Sequence, residues 1–223
     1  MKFNWFNKKE NKVLPDYFLE YEDSFLNAPK LAINETRFVV FDTETTGFNR
    51  MRDRVLSIGA VSLIDNTLNV NDSFEVYLKQ EIFNPETVHI HGILKEGSIT
   101  KISELEALKS FLKYIGNSIL VGHHINFDIM MMNQILVRNQ LPEIKNKTLD
   151  TEHLYRTSKH TVYQNTLPKE RYTLDKLCDE LNVSKSDRHT ASGDALITAI
   201  LFLKIIARLD KNNDLTVKDL LNS

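Results

Sequence analysis

The chain has 223 residues, 42% of them hydrophobic, and a formal net charge of −2. That apolar content suffices for one well-buried domain plus an appendage. The near-neutral charge excludes a whole-molecule basic field that would draw the chain onto duplex DNA. A single cysteine, Cys178, leaves no intrachain disulfide and no cysteine-based zinc site, which fits a reducing cytoplasm. Neither a secretory segment nor an apolar stretch long enough to span a membrane is expected.

Residues 1–34 read as an extension and residues 35–223 as the main domain. The first ten residues mix lysines with Phe3, Trp5 and Phe6. Pro15 then starts a short helix carrying Tyr17, Phe18, Tyr21 and Phe25, before a connector at Ala28, Pro29 and Lys30. This helix packs on the domain, or the segment serves as a docking arm for a partner, nucleic acid or membrane surface.

Strands are expected near 37–42, 54–64 and 69–78, the first two or three forming an antiparallel meander through the Asp65-Asn66 turn. Ser103 and Glu106 form a capping box that opens a helix with Leu105, Leu108, Phe111, Leu112 and Ile115 inward. A strand near 118–122 precedes a helix on which Asp128, Met131, Met132 and Ile135 share one face. A short strand near 147–151 and a helix at 173–182 follow. Leu174, Leu177 and Leu181 put Cys178 on that helix's apolar side, as an inert core thiol. The last long helix, to about residue 209, places Asp194, Ile197, Thr198, Leu201 and Ile205 on one face, and 216–221 forms a final short one. Mixed strands followed by strand–helix alternation imply an α/β domain of ribonuclease-H-like type, a mixed sheet flanked by helices.

Three blocks carry the chemistry. Residues 38–47 read Phe-Val-Val-Phe-Asp-Thr-Glu-Thr-Thr-Gly, residues 121–128 Val-Gly-His-His-Ile-Asn-Phe-Asp, and residues 189–194 His-Thr-Ala-Ser-Gly-Asp. Strand alternation turns Asp42 and Glu44 to the same side. Asp128 and Asp194 each occupy the first turn of a helix on its buried side. Helix N-termini favour negative charge by only about 0.3–1 kcal/mol, too little to place buried carboxylates there. Four such acids, with no matching set of buried lysines or arginines, point to divalent metal. His189, in the loop entering the last long helix, is placed to take a proton from water. Ala191 and Gly193 allow that helix to pack closely against the sheet.

Residues 145–171 are rich in base, with Lys145, Lys147, Arg156, Lys159, Lys169 and Arg171, and form a candidate phosphate-backbone track or a solvated loop face. Within them, residues 164–168, Gln-Asn-Thr-Leu-Pro, faintly resemble a sliding-clamp-binding peptide.

Together the blocks resemble the three motifs of the DEDDh exonucleases, the family that includes the proofreading epsilon subunit of bacterial DNA polymerase III. Asp42 and Glu44 match the first motif, Asp128 the second, and His189 with Asp194 the third. Residues 88–93, Val-His-Ile-His-Gly-Ile, and 172–177, Tyr-Thr-Leu-Asp-Lys-Leu, are similar to two further stretches of that family, so the likeness spans roughly 37–209. His123-His124 departs from the His-Asn that often precedes the second motif.

The resemblance implies hydrolysis of a terminal phosphodiester with two divalent cations, Mg²⁺ or Mn²⁺. It implies that Asp42 bridges both ions, Glu44 and Asp194 complete one site, Asp128 holds water at the metal, and His189 is the general base. Thr43, Thr46, His91 and Phe127 are carried over as contacts to the terminal nucleotide. His91 also reads as a hydrogen-bonded turn residue. The implied activity is a 3′→5′ exonuclease on single-stranded DNA ends, free-standing or as a proofreading partner of a DNA polymerase III catalytic subunit. An exoribonuclease trimming RNA 3′ ends and a non-catalytic nucleic-acid-binding module of the same fold are the alternatives.

Overall fold

A computed structural model describes residues 13–26, 32–82, 84–95, 97–159, 171–212 and 214–222. The aromatic–lysine segment before residue 13, the 28–30 connector, the 164–168 peptide and Lys169 lie outside the described residues.

The sheet has five strands in the order β3-β2-β1-β4-β5. These are β1 (Phe38–Thr45), β2 (Val55–Ile64), β3 (Thr67–Tyr77), β4 (Ile119–Gly122) and β5 (Thr148–Asp150). β1, β2 and β3 form the expected antiparallel meander, while β4 and β5 add in parallel. Asp65 and Asn66 both sit at positive φ, 51° and 52°, the conformation a two-residue hairpin turn requires. The mixed sheet carries helices on both faces, the ribonuclease-H-like arrangement the pattern implies.

Alternation along β1 sorts its residues between two cores. Val39 and Phe41 face α1 (Asp16–Asp23), α3 (Glu104–Ile115) and α4 (Asn126–Arg138). Phe38 and Val40 face α5 (Thr151–Thr157), α6 (Leu174–Leu181), α7 (Ala191–Leu209) and α8 (Val217–Asn222). α2 (Pro85–His91) lies between β3 and α3 in the chain. α7 lies across β1 and β2, and Gly59 of β2 makes this approach possible. A Cβ there would stand 2.1 Å from the Ser192 nitrogen and 2.2 Å from the Ala191 carbonyl carbon. Gly193 serves a different purpose from the one expected: it packs against the Asp187 carbonyl of its own entry loop, 1.8 Å from a built Cβ.

α1 sinks Phe18 and Tyr21 into the core against α3, and the Tyr21 hydroxyl donates to Asn146 Oδ1 at 2.6 Å. The Ser103–Glu106 capping box forms. Leu105, expected inward, is exposed, and Ala107 fills the buried face instead. Leu105 falls in the first turn of α3, before the helix presses onto the sheet. No helix among the described residues is long and apolar enough to cross a membrane.

Candidate active site

β1 runs three residues past the expected end at residue 42, because antiparallel pairing continues through Asp42↔Gly59 and Glu44↔Ser57. Parallel pairing with β4 stops at Val40. The C-terminal half of β1 is thus covered by β2 on one edge and open on the other. The even-numbered face, shared with Phe38 and Val40, turns Asp42 and Glu44 toward α7. There Asp194 emerges from the first turn, and one carboxylate oxygen from each of Asp42, Glu44 and Asp194 lies within 4.8 Å of the others. Such an all-oxygen set could hold a hard divalent cation.

Asp128 stands outside this triad. It approaches β1 from the α4 side, at the open edge that β4 leaves. Its Oδ1 accepts both the Thr43 backbone N–H at 3.0 Å and the Thr43 hydroxyl at 2.6 Å. Consecutive residues of one strand therefore address the two helices: Asp42 and Glu44 meet Asp194, and Thr43 holds Asp128.

The electrostatics follow from burial. Desolvation, then the charges of Asp128, Asp194 and Glu44, push the Asp42 carboxyl well above its ordinary value. Burial raises Glu44 to about 7, with the Asp194 charge as the next cause. Asp128 is also raised to about 7 by burial, against the opposing pull of its Thr43 hydrogen bonds. This is the signature of a cluster short of positive charge.

One cation is nevertheless present. Arg188 bridges Asp194 Oδ2 through Nη1 and Asp175 Oδ1 through Nε, the latter at 2.8 Å. Arg188 is a largely buried basic partner that the sequence did not single out, although one guanidinium is no matching set for four acids. The available signal was its place in the chain, directly before His189. His189 is exposed, adopts φ 71°, and donates its backbone N–H to Asp194 Oδ1 at 3.3 Å. His124, at the entry to α4, adopts φ 59°. A left-handed histidine is uncommon, so the helices carrying Asp128 and Asp194 are both entered through constrained loops.

Three of the expected nucleotide contacts are committed elsewhere. Thr43 spends its hydroxyl on Asp128. The Thr46 side chain is fully buried: its hydroxyl donates to Asp53 Oδ1 at 2.8 Å and accepts from the Arg54 N–H at 3.0 Å. His91 is the buried turn residue of its alternative reading, its Nδ1 accepting from the Ile93 N–H and its Nε2 standing 3.0 Å from the Thr87 hydroxyl. Burial also pushes the His91 imidazole down. Phe127 remains available, half-buried, with its ring 5.8 Å from that of exposed Phe48.

The His123-His124 departure has a definite structure. His123 is neutral, lowered to about 4 chiefly by burial, and stands 2.8 Å from the Tyr172 carbonyl and 3.0 Å from the Thr151 hydroxyl. His124 Nε2 pairs with Glu152 at 2.8 Å. Asp150, which the sequence did not single out, accepts from the Ile125 and Glu152 N–H groups and so ties together the starts of α4 and α5. Beside them an open groove of about 690 Å³ is lined by residues that include Phe127, Met130, His153 and Arg171. Of the basic stretch, Lys145 pairs with Glu22 of α1, and Arg156 with Glu152 at 2.8 Å.

The chain matches the family described as Exonuclease over residues 39–202. It is 33% identical over 182 residues to the DNA polymerase III subunit epsilon of Buchnera aphidicola, covering 77% of this chain and 73% of that protein. It is 33% identical over 178 residues to the Escherichia coli subunit of the same name, covering 75% and 70%. Among solved structures, E. coli exonuclease I in complex with a dT13 oligonucleotide superposes with a TM-score of 0.64 at 18% identity, over 80% of this chain and 41% of that one. The present chain thus spans less than half of exonuclease I, and that likeness concerns the fold. With the family match covering most of the chain and epsilon subunits similar along most of their length, the chain belongs to the exonuclease family, as a 3′→5′ exonuclease.

Proposed function

We propose that the chain removes nucleoside monophosphates from single-stranded DNA 3′ ends, as a proofreading or repair activity. The observation that carries this reading is the convergence of Asp42, Glu44 and Asp194 within 4.8 Å, with Asp128 held across the same strand by Thr43. Asp42 would be shared between the cations, Glu44 and Asp194 would complete one site with it, and Asp128 would hold water at the metal. Two divalent cations, Mg²⁺ or Mn²⁺, supply charge stabilisation at the phosphate and at the leaving 3′ oxygen when bound. His189 accepts the proton of the attacking water, and its exposure leaves the ring free to do so. Phe127 and Phe48 offer aromatic faces against which a base can stack.

DNA as substrate is supported by relatives named as polymerase III subunits and by a fold neighbour solved with a DNA oligonucleotide. Divalent-metal dependence is supported by the oxygen-only donor set and by a zinc-bound form of E. coli exonuclease I. A DNA polymerase III catalytic subunit is the proposed partner, residues 35–223 the exonuclease domain with 1–34 its extension, and the cytoplasm its compartment. The test is digestion of labelled DNA and RNA strands of equal sequence, side by side. Preferential shortening of DNA from the 3′ end is expected; preferential shortening of RNA would make the chain an exoribonuclease.

A further inference from the structure

Arg188 is the one guanidinium that reaches the carboxylate triad among the described residues. It is mostly buried, and it is divided between two acids of opposite standing. Asp194 is a proposed cation ligand, whereas Asp175 lies in the first turn of α6, half exposed and outside the triad. The guanidinium fork spans both, which a point charge such as an ammonium does not do. The two oxygens of Asp194 are taken by the His189 N–H and by Arg188. A cation arriving at Asp194 therefore meets a carboxylate already paired.

Resting on the cation-site reading of Asp42, Glu44 and Asp194, we infer that Arg188 is a positioning residue that competes with the cation. It holds Asp194 and the His189 loop in place before metal binds and retreats toward Asp175 when metal arrives. Asp175 is thus the second anchor that lowers the cost of release.

The experiment is calorimetric titration of Mn²⁺ into the full chain without nucleic acid. Arg188→Gln should tighten binding and Asp175→Asn should weaken it, each on the order of five- to tenfold, the usual scale of a coupling between two ligands. A scaffold whose only task is to orient Asp194 predicts weaker binding in the glutamine variant. Weaker or unchanged binding in Arg188→Gln, or shifts of the same sign in both variants, would overturn the inference. Absence of Mn²⁺ binding to the parent chain would instead overturn the cation-site reading itself. Thermal melts establish that each variant is folded. Should the glutamine variant fail to fold, Arg188→Lys, which keeps the charge but loses the fork, should bind Mn²⁺ more tightly than the parent; equal or weaker binding would overturn the inference.

Discussion

Thr43 and Asp128 are joined twice: the backbone N–H and the hydroxyl of Thr43 both donate to the same carboxylate oxygen, at 3.0 and 2.6 Å. The pair exists because β1 outruns β4, leaving the Thr43 edge unpaired just where α4 begins. A strand end that would otherwise expose a lone donor holds an acid at the site.

Thr43→Val keeps the shape of this side chain and removes the hydroxyl. Turnover should fall by about tenfold or more, since a hydrogen bond to a charged group is worth about 1.5–3 kcal/mol. Thr43→Ser should retain most of the activity. Equal turnover in the parent and valine proteins would show that Asp128 needs no such clamp.

The motif residues were legible because apolar periodicity and acid position go together: Asp128 and Asp194 fall on buried helical faces, and Asp42 and Glu44 on one strand face. What the sequence did not reveal is which neighbour each side chain meets. Thr43 and Thr46 resemble nucleotide contacts in a motif string, yet their hydroxyls serve Asp128 and the Asp53 loop. Arg188 escaped notice because its two partners lie thirteen residues upstream and six downstream, on different helices. Gly59 gave no signal either, because its requirement comes from the backbone of α7, distant in sequence.

Gly59→Ala tests that close approach. The added methyl would meet the Ser192 and Ala191 backbone at little more than 2 Å, so the N-terminus of α7 must move. A stability loss of about 1–3 kcal/mol is expected from overpacking of this kind. Metal binding should weaken with it, because Asp194 rides on the displaced turn. Urea unfolding and Mn²⁺ titration of the variant measure both effects. An unperturbed denaturation midpoint would mean that the two elements are less tightly apposed.

Without metal, stability should depend on pH in an unusual direction. Glu44 and Asp128 are raised to about 7 from ordinary values of 4.5 and 3.8. The folded state therefore holds protons that the unfolded chain has released. This contribution is fully present below about pH 4 and is lost as pH rises through about 7. The melting temperature of the chelator-treated protein should carry this downward component as pH rises across the interval. Saturating Mg²⁺ binds the deprotonated cluster of the native state, so it should offset the loss and raise the melting temperature most near and above pH 7. A rising metal-free curve, or one that metal leaves unchanged, would speak against a shared carboxylate site.

His189→Ala separates proton transfer from cation binding. Turnover should drop on the order of 10²–10⁴-fold, the range for a general base. Mn²⁺ affinity should stay near that of the parent, because the carboxylates and not the imidazole hold the ions. Loss of both together would make His189 a ligand or a structural residue.

The most direct test of the central claim uses 5′-labelled single-stranded DNA in the presence of Mg²⁺, with either a free or a phosphate-blocked 3′ end. The parent protein should shorten the free strand stepwise and leave the blocked one intact, and Asp42→Asn should produce no ladder on either. Equal digestion of blocked and free strands, or a ladder from Asp42→Asn matching that of the parent, would contradict a 3′→5′ exonuclease built on the Asp42, Glu44, Asp128 and Asp194 cluster.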